Sequence, residues 1–385
     1  MERGDELFLD HLKSGTPFAE LPAHLRAGSD ISEAKWLAMI IDWNIKQSKP
    51  WQTQFSKQVT HNEYAHKLIE HLHKSYGIFP YCEASYIVGE LGVTPYVFYR
   101  EILIDMIQNN VAFDQLPNFT NRESVRILGV ERTSYLNILN KYRSKIFFIR
   151  SRRNEIINLF PTPPKQEIES WYEINIGKVN SMNDEIVKKL TDPEKAIIRI
   201  LFFSKQQLHQ QNKKQSPPQT PKQLFNEEDL SPSLSKKASK RQLKRKKQEQ
   251  NIPECLFGHC PAGLFEKETL HTLLQRVEQP LIYAVVPLSQ QTRVSVVPLE
   301  NFVMNRSSEG DAMESLLQRV LHRSDARHTL QQMAMNMQLS LIELKQAVSL
   351  LIQMGMLKIS NISDAPTFTL DYCNYPLEYE QQIIL

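Results

Sequence analysis

The chain has 385 residues, 41% hydrophobic and 23% charged, an ordinary globular composition with material for more than one core. No run of about 18 apolar residues occurs, which excludes a membrane-spanning helix of the usual kind. Glycine is scarce, at 12 residues, and no glycine-rich phosphate loop, nucleophile elbow or HExxH pair is present. The formal net charge of +3 hides an asymmetry. Residues 204–254 hold 12 Lys and Arg against 5 Asp and Glu, a balance of +7, while the rest holds 34 basic and 38 acidic residues, a balance of −4. The folded body is slightly acidic, and one segment carries the positive charge.

The start, MERGDELFLDHL, is too acidic and interrupted for a signal peptide, so a cytosolic or nuclear setting is expected. Residues 1–75 read as a helical region. Ser32 suits the cap of a helix through Leu37, Ile40 and Ile41, and a second stripe follows at Leu68, Ile69 and Leu72. His66, Glu70 and His73 share one face of that second helix. They read as its solvated side, and no metal ligand set is assigned to them.

Residues 76–158 contain a pattern that occurs twice. Val88, Leu91, Gly92, Val93, Phe98 and Ile102 align with Val125, Leu128, Gly129, Val130, Tyr135 and Leu139. Each is a helix, a turn needing positive φ at glycine, and a second helix with a buried face, so tandem helix-turn-helix units are expected. Pro161, Pro163 and Pro164 then mark a boundary.

Residues 159–310 read as a winged-helix-like domain interrupted at 204–258. Helices are expected over Asp184 to Leu190, over Asp192 to Phe203, and around Leu270, Leu273 and Leu274. The β-branched runs Leu281 to Val286 and Arg293 to Pro298 read as a β-hairpin. The interruption is rich in Gln, Pro, Ser and Lys, and is expected to be disordered. Its centre, KKASKRQLKRKK, carries Lys236, Lys237, Lys240, Arg241, Lys244, Arg245, Lys246 and Lys247 with no acid. Such a run suits nucleic acid, nuclear import or an anionic lipid surface, and equally a solvated insertion. Cys255, His259 and Cys260 lack the second cysteine pair of a zinc site, and the four cysteines form no disulfide framework.

Residues 311–372 read as a winged-helix domain. Met333, Ala334 and Met337 lie on one helix and Leu344, Ala347, Val348 and Leu351 on the next, with a wing from Leu357 to Ile359 and Phe368 to Leu370. Met335, Met337, Met354 and Met356 are expected to fill core. A tail occupies 373–385. The fold class is therefore mainly α with short β-hairpins, in tandem helix-turn-helix and winged-helix modules.

No reactive constellation stands out, so a non-enzymatic binding protein without cofactor is expected. Only one second helix, with Arg132, Thr133, Asn137, Lys141 and Arg143, suits a DNA groove, whereas that around Leu341, Ile342 and Glu343 suits a polypeptide. A nuclear helix-turn-helix protein using the Lys/Arg-rich loop on nucleic acid is the alternative.

Four segments carry a more specific signal: IFPYCEASYIVGELGVTPYVFYREILIDMI (78–107), LPNFTNRESVRILGV (116–130), SWYEINIGKV (170–179) and VPLENFVMNR (297–306) followed by Gly310 and Asp311. Together they resemble, in collinear order from about residue 8 to 360, the N-terminal region of the family with sequence similarity 91. The resemblance implies an adaptor at the trans-Golgi network that works with a WD-repeat scaffold protein and a TBC-domain golgin adaptor in capturing endosome-derived vesicles. The basic segment interrupts the family pattern, so its role is not implied. The family's long C-terminal region has no counterpart here, and a WD-repeat contact carried there would be absent. Within the matching motifs, residues that periodicity leaves outside a core are the candidate partner contacts: Asn118, Phe119, Asn305, Arg306 and Asp311. Asn118 also suits a helix cap or turn, and Asn305 a turn.

Overall fold

A computed structural model describes residues 2–28, 31–47, 49–51, 59–144, 152–165, 167–177, 179, 184–215, 260–276, 281–298 and 311–360. They form a mainly helical protein with two small antiparallel sheets. None of the described helices is long and apolar enough to cross a membrane.

Four helices open the chain: α1 (Glu2–Ser14), α2 (Ala23–Gly28), α3 (Glu33–Lys46) and α4 (His61–Lys74). Ser32 caps α3, its hydroxyl accepting from Lys35 N at 3.3 Å, and Thr60 caps α4 through Glu63 N at 3.2 Å. Each satisfies a helix-end donor that has no intrahelical partner. Trp36, Ile40, Ile41 and Ile45 of α3 and Tyr64, Leu68 and Leu72 of α4 are buried. The opposite face of α4 is divided: Glu70 pairs with Lys74 at 2.6 Å, while His73 lies 3.4 Å from Asp105.

The repeated pattern folds as two similar turns. In the first, α5 (Ala84–Tyr86) continues through a π-turn, Ile87–Leu91, to Gly92 at φ +71°. Thr94 then caps α6 (Pro95–Gln108). In the second, α7 (Asn118–Leu128) ends at Gly129, φ +69°, before α8 (Arg132–Ser144). A left-handed residue after the last turn closes a helix cheaply only when it is glycine, which explains why both turns carry one. The paired positions Phe98 and Tyr135, and Ile102 and Leu139, are all buried, as are Val88 in the first unit and Leu128 in the second. A short helix, α9 (Arg152–Ile157), packs back on α6, with Arg153 paired to Glu101.

The remainder repeats a second pattern of strand, helices, strand. The first unit comprises β1 (Glu173–Ile176), α10 (Glu185–Lys188), α11 (Asp192–Gln215), a single turn at Ala262–Leu264, α12 (Lys267–Leu274) and β2 (Ile282–Val285). The second comprises β3 (Val294–Val296), α13 (Ala312–Arg323), α14 (Leu330–Met337), α15 (Leu341–Gln353) and β4 (Leu357–Ile359). The expected hairpin between 281–286 and 293–298 does not form. Both runs are strands, but β2 pairs with β1 and β3 with β4. Each strand thereby joins the strand that brackets its own helices, so its inward residues close over a helical face, which a two-stranded local ribbon could not do. On the far side of each opening strand lies a single bridge, Glu173 to Pro261 and Arg293 to Thr329. The expected wing strand Phe368 to Leu370 lies outside the described residues.

A second correction concerns the interruption. Helix α11 runs to Gln215, eleven residues past Ser204, where disorder was expected to begin. The stretch SKQQLHQQNKKQ holds good helix formers and no Gly or Pro before Pro217, so the preceding helix propagates through it. Residues 216–259 lie outside the described residues.

Capping boxes, Thr329 with Gln332 and Ser340 with Glu343, start α14 and α15. Met337, Met354 and Met356 are buried as expected, whereas Met335 is 67% exposed. Two cores result. One runs from Leu12 to Ile156; the other is built mostly from residues 172–357, joined by Ile78 and Phe119 from the N-terminal half. The β1–β2 sheet lies between them: Ile282 belongs to the second core, while Tyr283 packs against the first.

Candidate functional site

Two of the motifs singled out in the sequence, far apart in the chain, meet at one internal junction. Pro117 precedes α7 and offers no side-chain cap. The acceptor comes from Glu314 on α13: its Oε1 accepts from Phe119 N at 2.8 Å and Thr120 N at 3.0 Å. Asp311 in turn caps α13, Oδ1 accepting from Met313 N at 2.9 Å and Glu314 N at 3.0 Å. A buried carboxylate at a helix N-terminus meets both unpaired donors and the positive end of the helix dipole.

This arrangement corrects one expectation. Phe119 is 1% exposed, inside the second core, so it faces no external partner. Asp311 is half-buried, with one oxygen engaged as a helix cap. Asn118 is the first residue of α7 and half-buried. Asn305 and Arg306 lie outside the described residues, as do Lys236, Lys237, Lys240, Arg241, Lys244, Arg245, Lys246 and Lys247.

The structure offers a different surface, which sequence reasoning missed. A cleft of about 160 Å³ opens where the helical repeats, the proline segment and the first strand-bracketed unit converge. Val88, Tyr96 and Ile127 line one wall, Pro163, Pro164 and Ile168 another, and Ile282, Tyr283 and Ala284 of β2 a third. The proline wall is set by close packing: a Cβ on Gly129 would sit 3.2 Å from Pro164 Cγ and Cδ. Residues that the sequence marked as a turn and a boundary therefore pack together to shape the cleft.

The two arginines of its lining are matched within the protein, and Glu167 adds an exposed acid. Arg126 donates to the buried Glu123, from Nε to Oε2 at 2.7 Å and from Nη2 to Oε1 at 2.5 Å. The Tyr81 hydroxyl donates to the same carboxylate. Burial, reinforced by Glu123, pushes the Tyr81 phenol well above its ordinary range, so it remains a donor. Burial works against the Arg126 charge, but Glu123 outweighs it and keeps the guanidinium protonated. Across the cleft, Arg276 Nη2 donates to Glu194 Oε1 at 2.9 Å, and Glu194 Oε2 accepts from Thr191 N at 2.8 Å. Burial disfavours the Glu194 charge, yet these hydrogen bonds hold its carboxyl below the usual range. What is left is a mainly apolar cleft with Glu167 in its lining, which suits apolar side chains better than phosphate or another anion.

The sequence-level traces of this site are Pro163 and Pro164 and the distant β-branched run Leu281 to Val286, and neither says that the two face one another. Against known families, the model of the FAM91 N-terminus matches residues 11–373. That span includes both repeat systems, the proline segment and every residue lining the cleft. The chain accordingly belongs to the FAM91 family, of which it carries the N-terminal region.

Proposed function

We propose that the chain is a non-enzymatic adaptor in the capture of endosome-derived vesicles at the trans-Golgi network. It would bind a TBC-domain golgin adaptor and a WD-repeat scaffold protein, and act as a peripheral cytoplasmic protein there and on the arriving vesicles. Family membership supports this reading. The observation that carries it is the pair of exposed apolar side chains on the last helical unit.

On α8, the helix best suited to a DNA groove, Arg132 Nε and Nη2 hold Asp114 at 3.1 and 3.3 Å, and Arg143 Nε holds Asn110 at 2.9 Å. On the last unit, Ile342 of α15 is 63% exposed, and Met335 of the preceding helix is exposed as well. Phosphate binding requires cations aimed at the ligand, whereas exposed apolar groups on a helix suit a polypeptide.

The test is reconstitution from purified components, with the TBC-domain adaptor and the WD-repeat protein each titrated against the chain. Duplex DNA titrated over a salt series runs alongside. Saturable binding of at least one protein is expected; failure of both, with steeply salt-dependent DNA binding, would replace the proposal with the nuclear reading. A role for Lys236 to Lys247 on anionic lipid is a separate arm: vesicles with and without acidic headgroups, floated with the whole chain and with a deletion of that run, decide it.

A further inference from the structure

We propose that the outer edge of β2 is a docking strand, on which a partner protein adds one extended, uncharged stretch of alternating apolar residues. The inference rests on the adaptor reading, and it specifies where and how a partner is held.

Three consecutive residues, Ile282, Tyr283 and Ala284, border the cleft. Side chains alternate between the faces of a sheet, so three in a row border one cavity only along a strand's edge. The opposite edge of β2 is occupied by β1, in the register Glu173 to Val285 through Ile176 to Ile282.

The hydrogen bonds assign the remaining backbone groups. Gly177 N donates to Leu281 O at 2.7 Å, while Ile174 N turns the other way, to Cys260 O at 2.8 Å. In an antiparallel pair the bonding residues alternate. Leu281, Tyr283 and Val285 therefore face β1, and the N–H and C=O groups of Ile282 and Ala284 point into the cleft. Among the described residues, no strand pairs with that edge. Proteins usually cover or charge such an edge, because it is a template for pairing with another chain.

The walls indicate the occupant. Pro163 and Pro164 stand in the lining and have no N–H, so they contribute packing surface and no competing donors. Arg126 and Arg276 are matched by Glu123 and Glu194, and Glu167 adds an acid to the lining, so the cleft presents no net positive field to an acidic or phosphorylated peptide. Charge complementarity rejects an acidic segment, and the apolar walls select apolar side chains. One face of an added strand would set its side chains among Val88, Tyr96, Ile127 and Pro164, while its backbone bonds Ile282 and Ala284. This is recognition by strand addition, in which backbone bonds supply affinity and side-chain pockets supply selectivity.

The test uses the full chain and Ala284→Pro, which removes an N–H aimed into the cleft but none that serves β1. A display library of random peptides about ten residues long is selected against the wild type and counter-selected on the variant. Enrichment of uncharged, alternating apolar sequences that weaken by about tenfold or more on Ala284→Pro is expected. Enrichment of acidic or helix-patterned peptides, equal binding to the variant, or no enrichment would overturn the proposal. If the wild type proves dimeric in solution and Ala284→Pro monomeric, the occupant is a second copy, and the partner assignment fails. Should Ala284→Pro lower the melting temperature, amide exchange in the wild type decides instead. Slowing at Ile282 and Ala284 with the selected peptide supports the proposal, and unchanged exchange overturns it. Binding of the TBC-domain adaptor is measured in parallel: its loss from the wild type refutes the adaptor reading, while equal binding to Ala284→Pro refutes only the edge.

Discussion

Replacing Glu314 should loosen the molecule at the junction of its two cores. Its side chain is essentially excluded from water, and Oε1 accepts from two backbone donors at the start of α7. In Glu314→Ala those N–H groups lose this acceptor where solvent does not reach. An unsatisfied buried donor costs about 1–3 kcal/mol, so two cost roughly 2–6 kcal/mol together. Glu314→Gln keeps an acceptor oxygen and loses the charge at the helix end, worth up to about 2 kcal/mol in a buried geometry. The expected order is wild type, then Gln, then Ala, with Ala clearly the worst.

Equilibrium urea unfolding followed by circular dichroism reads the shifts in midpoint. A cycle with Phe119→Ala adds a second check, since neighbours acting at one junction should be non-additive by about 0.5 kcal/mol or more. A Glu314→Ala midpoint within about 0.5 kcal/mol of wild type, or a Gln variant as damaged as Ala, would refute the capping argument.

Gly129→Ala and Gly355→Ala form a matched pair, because φ is +69° and +71° and each substitution forces alanine into the left-handed region at about 1–2 kcal/mol. Gly355 has nothing within 4 Å of the added Cβ, whereas Gly129 meets Pro164 at 3.2 Å, so Gly129→Ala should show the lower melting temperature. Equal losses would mean the proline wall yields freely. Glu194 is held below the ordinary carboxylate range, so its contribution to stability is present above the unfolded value and lost as pH falls through the folded one. Glu194→Gln should therefore flatten the acid limb of the stability curve, and an unchanged limb counts against the Arg276 and Thr191 contacts. Met335→Lys and Ile342→Lys change exposed side chains, so stability should move by no more than about 0.5 kcal/mol, while recovery of a protein partner in the reconstitution drops if this face docks one.

Local signals made much of the fold readable. The helix cap at Ser32 acts within a turn of itself, and the glycines at 92 and 129 close turns whose flanking apolar residues recur at helical spacing. The strand character of Leu281 to Val286 and Arg293 to Pro298 was equally legible, because β-branched alternation is local. The partner of each strand was not. Proximity in sequence favoured a hairpin, but the energy lies in closing a sheet over the helices each strand brackets, and those strands lie far away in the chain.

The amino-acid sequence by itself determined the helical class, the repeated turns and the family, since these rest on periodicity, caps and motif order. Tertiary structure alone decided what the motif residues do. Phe119 looked uncommitted because the carboxylate that meets its backbone stands 195 positions further on, whereas the cap that Asp311 makes is local. The cleft likewise exists only once Pro164 meets Gly129 and β2 turns one edge outward. Short-range order follows from neighbours along the chain; burial, pairing and a free strand edge follow from which surfaces the folded backbone brings together or leaves bare.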